Sequence, residues 1–150
     1  MNADPGNVPF AVNFDDGGHL VVAEAGPSAV ATFTIKPDGA LALVDRVATG
    51  QQATCWVAAD GSTFYASNAG SGTLSGYGDD GSGQLRPLGT TATGAGTVDA
   101  AASADGQYLY AQTGANGIVD EYRSSPAGAL TPIGSVTVPD AVGGEGIAAS

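Results

Sequence analysis

Basic residues, cysteine and histidine are scarce in this 150-residue chain. Four Lys+Arg stand against 15 Asp+Glu, which gives a formal net charge of −11 at pH 7. Phosphate backbones and anionic membrane surfaces repel such a chain, so neither nucleic acid nor a membrane is expected as a partner. One cysteine cannot form an intrachain disulfide, and no Cys/His spacing, phosphate loop or dinucleotide fingerprint is present. The sequence therefore predicts no metal and no cofactor.

Long apolar runs are also missing. No stretch reaches the roughly 18 apolar residues of a membrane span. The segment from Met1 to Asn7 has neither the basic start nor the apolar run of a signal peptide. The sequence predicts a soluble segment without a signal peptide and leaves its compartment unknown. The 24 glycines and 43% hydrophobic residues are typical of a globular, turn-rich chain.

An internal repeat is the strongest pattern in the sequence. Three kinds of marker recur at intervals of 44 and 45 residues: an Asp-Gly pair before an apolar segment, an aromatic residue, and a Gly-x-Leu triplet. They begin at Asp16, Asp60 and Asp105, at Phe33, Tyr77 and Tyr122, and at Gly39, Gly83 and Gly128. Three independent markers therefore agree on one period.

Each repeat contains four short apolar segments separated by turn residues. Asp-Gly between apolar runs indicates a hairpin, and four strands in about 45 residues are typical of a propeller blade. We predict an all-β fold of three four-stranded antiparallel blades plus one extra strand. The predicted divisions are a lead-in at 1–8, blades at 9–52, 53–96 and 97–138, and the first strand of a further blade at 139–150. An antiparallel sandwich with accidental similarity is the alternative.

Three blades and one strand do not close a ring, because propellers usually have four to eight blades. The sheets at both ends of such an arc are expected to be exposed, and exposed sheets favour association. The chain is therefore expected either to belong to a longer parent or to close a partial propeller by pairing with a second copy.

The repeated Asp-Gly-x-x-aromatic/Leu-Tyr/Val-Ala pattern resembles the seven-bladed lactonase propellers, which include 6-phosphogluconolactonases. The segments from Gly83 to Pro87 and from Gly128 to Pro132, and the final isolated strand, carry the same resemblance. It implies that the chain is similar to the C-terminal half of such a protein. It also implies a small sugar-acid lactone, bound in the central channel, as the ligand.

The catalytic motifs of that family are only partly present. Where the family has Pro-Arg-His, this sequence has Pro9 followed by Phe10 and Ala11. Where the family has Asn-Glu, it has alanine and Glu24, and Val98 takes the place of a later arginine. The resemblance implies Glu24 as the catalytic candidate. Because lactone hydrolysis needs both oxyanion stabilisation and activation of water, weak or absent activity is expected.

Several polar residues are predicted to gather at the mouth of the channel. Glu24, Asn68 and Thr113 occupy the same place in each repeat, at the end of the second strand. Other polar side chains lie where one blade passes to the next. The predicted ligand contacts are Gln52, Asn68, Asp99, Thr113 and Glu145, with Gln51 beside them. The alternative, which we favour, is that these residues end strands and satisfy turn amides.

The sequence predicts structural roles for the remaining reactive residues. His19 is predicted to be a solvated turn residue, Cys55 and Trp56 are predicted to fill a core, and the three arginines form no obvious cluster. Two functions stay open: a lactonase-family segment that binds or hydrolyses a lactone, and a non-catalytic propeller scaffold for protein or ligand binding. A fragment that assembles into a closed ring is a third.

Overall fold

The computed structural model describes residues 5–150, and this part of the chain forms twelve β-strands and no helix. The strands are β1 Pro9–Phe14, β2 Leu20–Glu24, β3 Ala29–Ile35, β4 Leu41–Ala48, β5 Thr54–Asp60, β6 Thr63–Asn68, β7 Thr73–Gly78, β8 Arg86–Ala92, β9 Thr97–Ala102, β10 Tyr108–Thr113, β11 Ile118–Ser124 and β12 Leu130–Thr137. The described residues therefore contain no candidate membrane-spanning helix.

The strands form three antiparallel sheets of four, and each sheet follows the order of the chain. We call the sheet β1–β4 blade 1, the sheet β5–β8 blade 2 and the sheet β9–β12 blade 3. The strands β1, β5 and β9 are the inner strands, since β5 contacts both of the others across the blade boundaries. The strands β4, β8 and β12 are the outer strands. The predicted all-β, propeller-type fold is confirmed, and the sheets do not close a ring.

Residues 139–150 lie outside the twelve strands. The segment is held by backbone hydrogen bonds, among them one from Gly143 N–H to the Gly114 carbonyl at 2.7 Å. The proposed first strand of a further blade and the other blade limits stay predictions. Residues 1–4 of the predicted lead-in lie outside the described residues.

Two β-bulges recur in every blade. On the inner strand, one extra residue interrupts the pairing with the second strand: Phe10, Cys55 and Val98 in blades 1, 2 and 3. On the outer strand, Val44, Leu88 and Ile133 interrupt the pairing with the third strand in the same way. A bulge bends its strand and redirects the side chain, so each blade presents these two side chains at equivalent places.

The blades stack face to face through two apolar cores. Blade 1 contributes Val21 and Val30 to the first core, and Phe64 and Tyr77 of blade 2 pack against them. Tyr65 and Leu74, on the other face of blade 2, pack against Leu109 and Tyr122 of blade 3. We call the face of a blade that packs on the preceding blade its entry face, and the opposite face its exit face. Burial of these side chains is the main stabilising contribution to the stacking.

Polar contacts join the blades through equivalent turn glycines. The Thr32 hydroxyl donates to the Gly83 carbonyl across the first junction, and the Tyr65 hydroxyl donates to the Gly128 carbonyl at 3.1 Å across the second. Gly83 and Gly128 hold the same place in their turns and have φ of 77° each. The left-handed backbone that these turns need is accessible to glycine without a steric penalty.

Candidate functional site

The inner strands begin at one end of the arc in an unusual backbone conformation. The residues before β1 and β5, Val8 and Ala53, have φ of 49° and 54°, and Gly96 before β9 has φ of 71°. Left-handed backbone is uncommon for residues other than glycine, above all for a β-branched one. The inner-strand bulge follows within two residues of each. These repeated irregularities give the start of every inner strand the same geometry.

An aromatic pair lies at this end of the arc. The ring of Phe10 approaches the ring of Trp56 edge to face, with centroids 6.3 Å apart and planes at 62°. Phe10 is 57% exposed, and Trp56 is half-buried against the core between blades 1 and 2. Trp56 is thus only partly a core residue. The two rings form an apolar surface that solvent can reach.

A buried acid lies beside the tryptophan. The Asp99 side chain is 4% exposed. Its Oδ2 accepts the Ile147 N–H at 2.9 Å, its Oδ1 accepts the Ala100 N–H at 2.7 Å, and Trp56 hydrogen-bonds to the same carboxyl group. Burial raises the pKa of Asp99, despite the opposing effect of these donors. The protonated, uncharged form is therefore favoured relative to an aspartate in water.

The cysteine at the blade 2 bulge is a poor nucleophile. Burial raises the pKa of the Cys55 thiol, and the negative charges of Glu145 and Asp99 act in the same direction. Its sulfur is 4.0 Å from the carbonyl oxygens of Ser67 and Val98. Because the thiolate is the reactive form, this environment gives no support to cysteine chemistry.

Glu24, the catalytic candidate, is saturated by an arginine. Its side chain is fully buried, and Arg46 holds both oxygens, with Nε–Oε2 at 2.7 Å and Nη2–Oε1 at 2.6 Å. No sequence pattern joins these two residues, because β3 separates their strands. Ala31, the cross-strand partner of Arg46, has a small side chain over which the guanidinium can reach. Both oxygens of Glu24 are therefore engaged by the guanidinium and shielded from solvent.

The equivalent residues in the other blades also bond within their own sheets. Asn68 is buried, accepts a hydrogen bond from the Thr54 hydroxyl at 2.7 Å, and donates to Thr73 and Ser75 at 3.1 and 3.0 Å. Thr113 is buried and donates to the Ile118 carbonyl at 2.9 Å. These contacts are those of residues that close strand ends.

The other predicted contact residues differ in their surroundings. Gln52 is exposed, and its backbone N–H donates to the Ser71 hydroxyl at 2.8 Å. Gln51 accepts from the Thr73 hydroxyl at 3.2 Å. Glu145 is exposed and lies close enough to raise the pKa of both Cys55 and Asp99. The structure therefore brings Asp99 and Glu145 together, near Cys55 and Trp56.

One further polar residue lies beside Asp99, and no sequence motif indicated it. Gln112 is the cross-strand partner of Asp99. In the part of the chain that the structure describes, its buried Oε1 has no hydrogen-bond partner. A Cβ at Gly144 would lie 3.0 Å from its Nε2, so the Gly-rich segment passes directly over this amide. Only its place opposite Asp99 in the repeat could have indicated it.

A second group of titratable residues lies at the opposite end of the arc. Asp15 and His19 bond through Oδ2 and Nδ1 at 2.7 Å, and both side chains are largely buried. His19 is therefore not the solvated turn residue that the sequence suggested. Burial opposes ionisation of Asp15, but the His19 hydrogen bonds prevail and lower its pKa. Burial and the neighbouring Asp15 raise the pKa of Asp79, which reaches the pair from blade 2.

No family model and no curated protein matches this sequence. Solved structures match its fold over most of its length. A proposed 6-phosphogluconolactonase from Bacteroides fragilis superposes with a TM-score of 0.81 at 22% identity, covering 95% of this chain and 42% of that protein. The periplasmic gluconolactonase of Pseudomonas aeruginosa gives 0.72 at 21% identity, covering 89% and 43%. Saccharomyces cerevisiae Sqt1 gives 0.75 at 11%, covering 95% and 38%.

These similarities define the class of fold. The chain is a partial β-propeller of the kind found in lactonase-like proteins, and it spans less than half the length of the structures it matches. At such low identity the likeness shows the fold alone. Any activity must therefore be argued from this chain's own residues.

Proposed function

We propose that the start of the inner strands binds a small, uncharged cyclic sugar derivative, such as a sugar lactone, without hydrolysing it. The observation that carries this proposal is the exposed Phe10–Trp56 pair beside the buried acid Asp99. Ligand sites typically combine an apolar surface with a few fixed polar groups. The rings offer apolar surface to the C–H face of a sugar, and the carboxyl group can exchange hydrogen bonds with its hydroxyls.

The surrounding residues argue against hydrolysis. Catalysis of lactone opening needs donors or a cation for the developing oxyanion and a base to activate water. Glu24 is bound on both oxygens by Arg46. Phe10, Ala11 and Val98 supply neither charge nor a hydrogen-bonding side chain where the lactonase family has Arg, His and Arg.

Charge favours a neutral ligand over an anionic one. The chain carries a net charge of −11, and the exposed carboxylate of Glu145 stands at the site itself. A sugar acid or a phosphorylated lactone would bring its own negative charge to this surface, at an energetic cost. The site is therefore expected to bind a neutral lactone and to reject the acid that hydrolysis of the same lactone would produce.

The single tryptophan provides a direct test, because Trp56 is the only one in the chain. Titration with freshly dissolved glucono-δ-lactone, at pH 6 to limit spontaneous opening, is expected to shift Trp56 emission, whereas gluconate is not. Phe10→Ala is expected to weaken binding by about tenfold, through loss of roughly 1.4 kcal/mol of aromatic contact. Phe14→Ala is the matched control, since Phe14 is 54% exposed on the same strand, near its far end.

Hydrolysis is followed in parallel by pH-stat titration. Opening of the lactone is expected to proceed at the rate of a protein-free solution. The proposal fails if millimolar lactone leaves the emission unchanged, or if Phe10→Ala and Phe14→Ala bind alike. Acceleration that disappears in Glu24→Gln would instead assign a hydrolytic role to Glu24.

A further inference from the structure

Three titratable side chains lie together inside the junction between blades 1 and 2. Asp15 and His19 belong to the turn between β1 and β2, and Asp79 belongs to the turn between β7 and β8. Asp15 is 8% exposed and Asp79 is 6% exposed, so both carboxyl groups are largely shielded from water. The two carboxyl groups hydrogen-bond to each other across the junction. Because an ionised carboxylate can only accept hydrogen bonds, this contact requires a proton.

The other hydrogen bonds of the two acids indicate which of them carries that proton. Asp15 Oδ1 accepts the His19 backbone N–H at 2.6 Å, and its Oδ2 lies 2.7 Å from His19 Nδ1. Asp79 Oδ1 accepts the N–H groups of Gly81 and Gly83 at 2.8 and 3.3 Å. Asp79 Oδ2 is buried, and no donor in the part of the chain that the structure describes reaches it. A proton on this oxygen completes the bond to Asp15.

The two turns pack so closely that the acids cannot separate by side-chain movement alone. A Cβ at Gly17 would overlap the carbonyl oxygen of Gly81 and would lie 3.1 Å from His19 Nδ1. The Leu85 N–H donates to Asp45 Oδ2 across the same junction at 2.9 Å. Two ionised carboxyl groups at this place can therefore move apart only if the β7–β8 turn moves away from blade 1.

The second junction indicates that blade packing does not require these groups. Thr63 takes the place of His19, since each lies against the turn glycine of the following blade. Ser124 takes the place of Asp79, since the N–H of each donates to the turn between the first two strands of its own blade. Blades 2 and 3 thus pack without a histidine and without an acid at these two places. The carboxyl pair is a feature of the first junction alone among the two.

The charges of the first junction make loss of the shared proton unfavourable. Its other charged groups are Asp16, Asp45, Asp80 and Arg86. Arg86 is the one basic group among these four. Burial and the neighbouring Asp15 raise the pKa of Asp79. The stabilisation that protonated Asp79 provides is therefore present at low pH and is lost as the pH rises through this raised pKa.

We propose that this pair is an acid-closed clasp: one proton shared by Asp15 and Asp79 holds the two turns together, and its loss lets the β7–β8 turn separate from blade 1. The same turn forms one wall of a cavity of about 500 Å³, which Gln84 and Arg86 also line. Release of the clasp is therefore expected to change the shape of this cavity. The inference does not depend on ligand binding at the inner strands.

Hydrogen exchange of the Leu85 amide tests the inference, because this amide bonds across the junction. Exchange is followed by NMR at pH 4 and pH 8 and is corrected for the intrinsic effect of pH. Protection of the wild-type amide is expected to be roughly fivefold lower at pH 8. The Gly94 amide is the internal control, because it also donates to a carboxylate, Asp120 Oδ2 at 2.6 Å, in the loop that leads to blade 3. Its protection is expected to be the same at both pH values.

Asp79→Asn and Asp15→Asn each remove one of the two ionisable groups and nearly preserve its shape. In both variants, Leu85 protection is expected to be equal at the two pH values. Asp80→Asn is the matched control, because it makes the same change at the exposed neighbouring residue, and it is expected to keep the wild-type fall. Far-ultraviolet circular dichroism checks the folding of each variant at both pH values.

Three results would overturn the inference. The first is equal protection of the wild-type Leu85 amide at pH 4 and pH 8. The second is a fall at pH 8 that survives in either folded variant of the pair. The third is an equal fall at Leu85 and Gly94, which would mean that the loss of protection is general and does not arise at the clasp.

Discussion

Removal of the Arg46 side chain is expected to destabilise the protein more than removal of the carboxylate that it binds. Glu24 is fully buried, whereas the Arg46 side chain is 31% exposed. Arg46→Met leaves a buried carboxylate without its cation, which typically costs 3–5 kcal/mol. Because water can enter beside the arginine, we expect the lower end, about 3 kcal/mol. Glu24→Met leaves a cation that can reach solvent, and its expected cost is about 1 kcal/mol.

The double variant Glu24→Met/Arg46→Met is expected to recover most of the loss, since apolar replacement of a whole buried ion pair is often nearly neutral. Urea unfolding followed by Trp56 emission measures all four proteins. With a slope of about 2 kcal/mol/M, Arg46→Met lowers the midpoint by roughly 1.5 M. Protein concentration is held constant, because association would change the apparent stability. Equal losses for the two single variants, or a double variant as unstable as Arg46→Met, would refute this reasoning.

Two further predictions concern stability. Asp79 has a raised pKa in the folded state, so its contribution is present at low pH and is lost as the pH rises through that raised value. The amide of Asp79→Asn can still donate a hydrogen bond to Asp15 without carrying a charge. The variant is expected to be about 1 kcal/mol more stable than wild type at pH 7 and equally stable at pH 3, as measured by urea unfolding. Equal stability of the two proteins at both pH values would contradict this. Ala53 and Gly96 hold equivalent left-handed positions. Ala53→Gly is expected to raise the free energy of unfolding by up to about 1 kcal/mol, and Gly96→Ala to lower it by about 1 kcal/mol, both measured by thermal unfolding. A loss in Ala53→Gly would show that this backbone is not strained.

The repeat made the fold predictable, and its physical basis explains why. Each Asp-Gly pair forms the turn between the first and second strands, and each repeated aromatic residue lies on a third strand: Tyr77 and Tyr122 are buried in the cores, and Phe33 is half-buried at the open end. The local turn residues therefore determine where strands begin, and the alternation of apolar and polar residues determines which face each strand buries. Both signals are short-range and can be read from neighbouring residues.

The candidate site was less predictable, because it depends on register between strands. The contact of Arg46 with Glu24 crosses a whole strand, and its geometry follows from the bulge at Val44, which shifts the pairing of β4 by one residue. Asp99 was identified from its place at a blade junction. Its hydrogen bond from Ile147 depends on a segment 48 residues away. Contacts of this kind have no local signature in the sequence.

Comparison of equivalent positions in the three blades distinguishes residues that packing requires from residues that are candidates for function. Glu24, Asn68 and Thr113 differ chemically, yet each is buried and hydrogen-bonded within its own sheet. Each blade thus requires a polar residue at this place, and three different residue types fulfil this requirement. By contrast, the inner-strand residues that follow the bulge, and that pair one residue earlier on the second strand, follow no common packing rule.

The position after the inner-strand bulge is Ala11 in blade 1, Trp56 in blade 2 and Asp99 in blade 3. A small apolar residue, a large ring and a buried acid cannot serve one shared structural purpose, and the acid is energetically costly where it is. In a repeat protein, a position that differs between repeats and carries such a cost is a better guide to function than one that recurs. On this ground we propose Trp56 and Asp99 as the binding site, rather than Glu24, which matched the catalytic glutamate of the lactonase family.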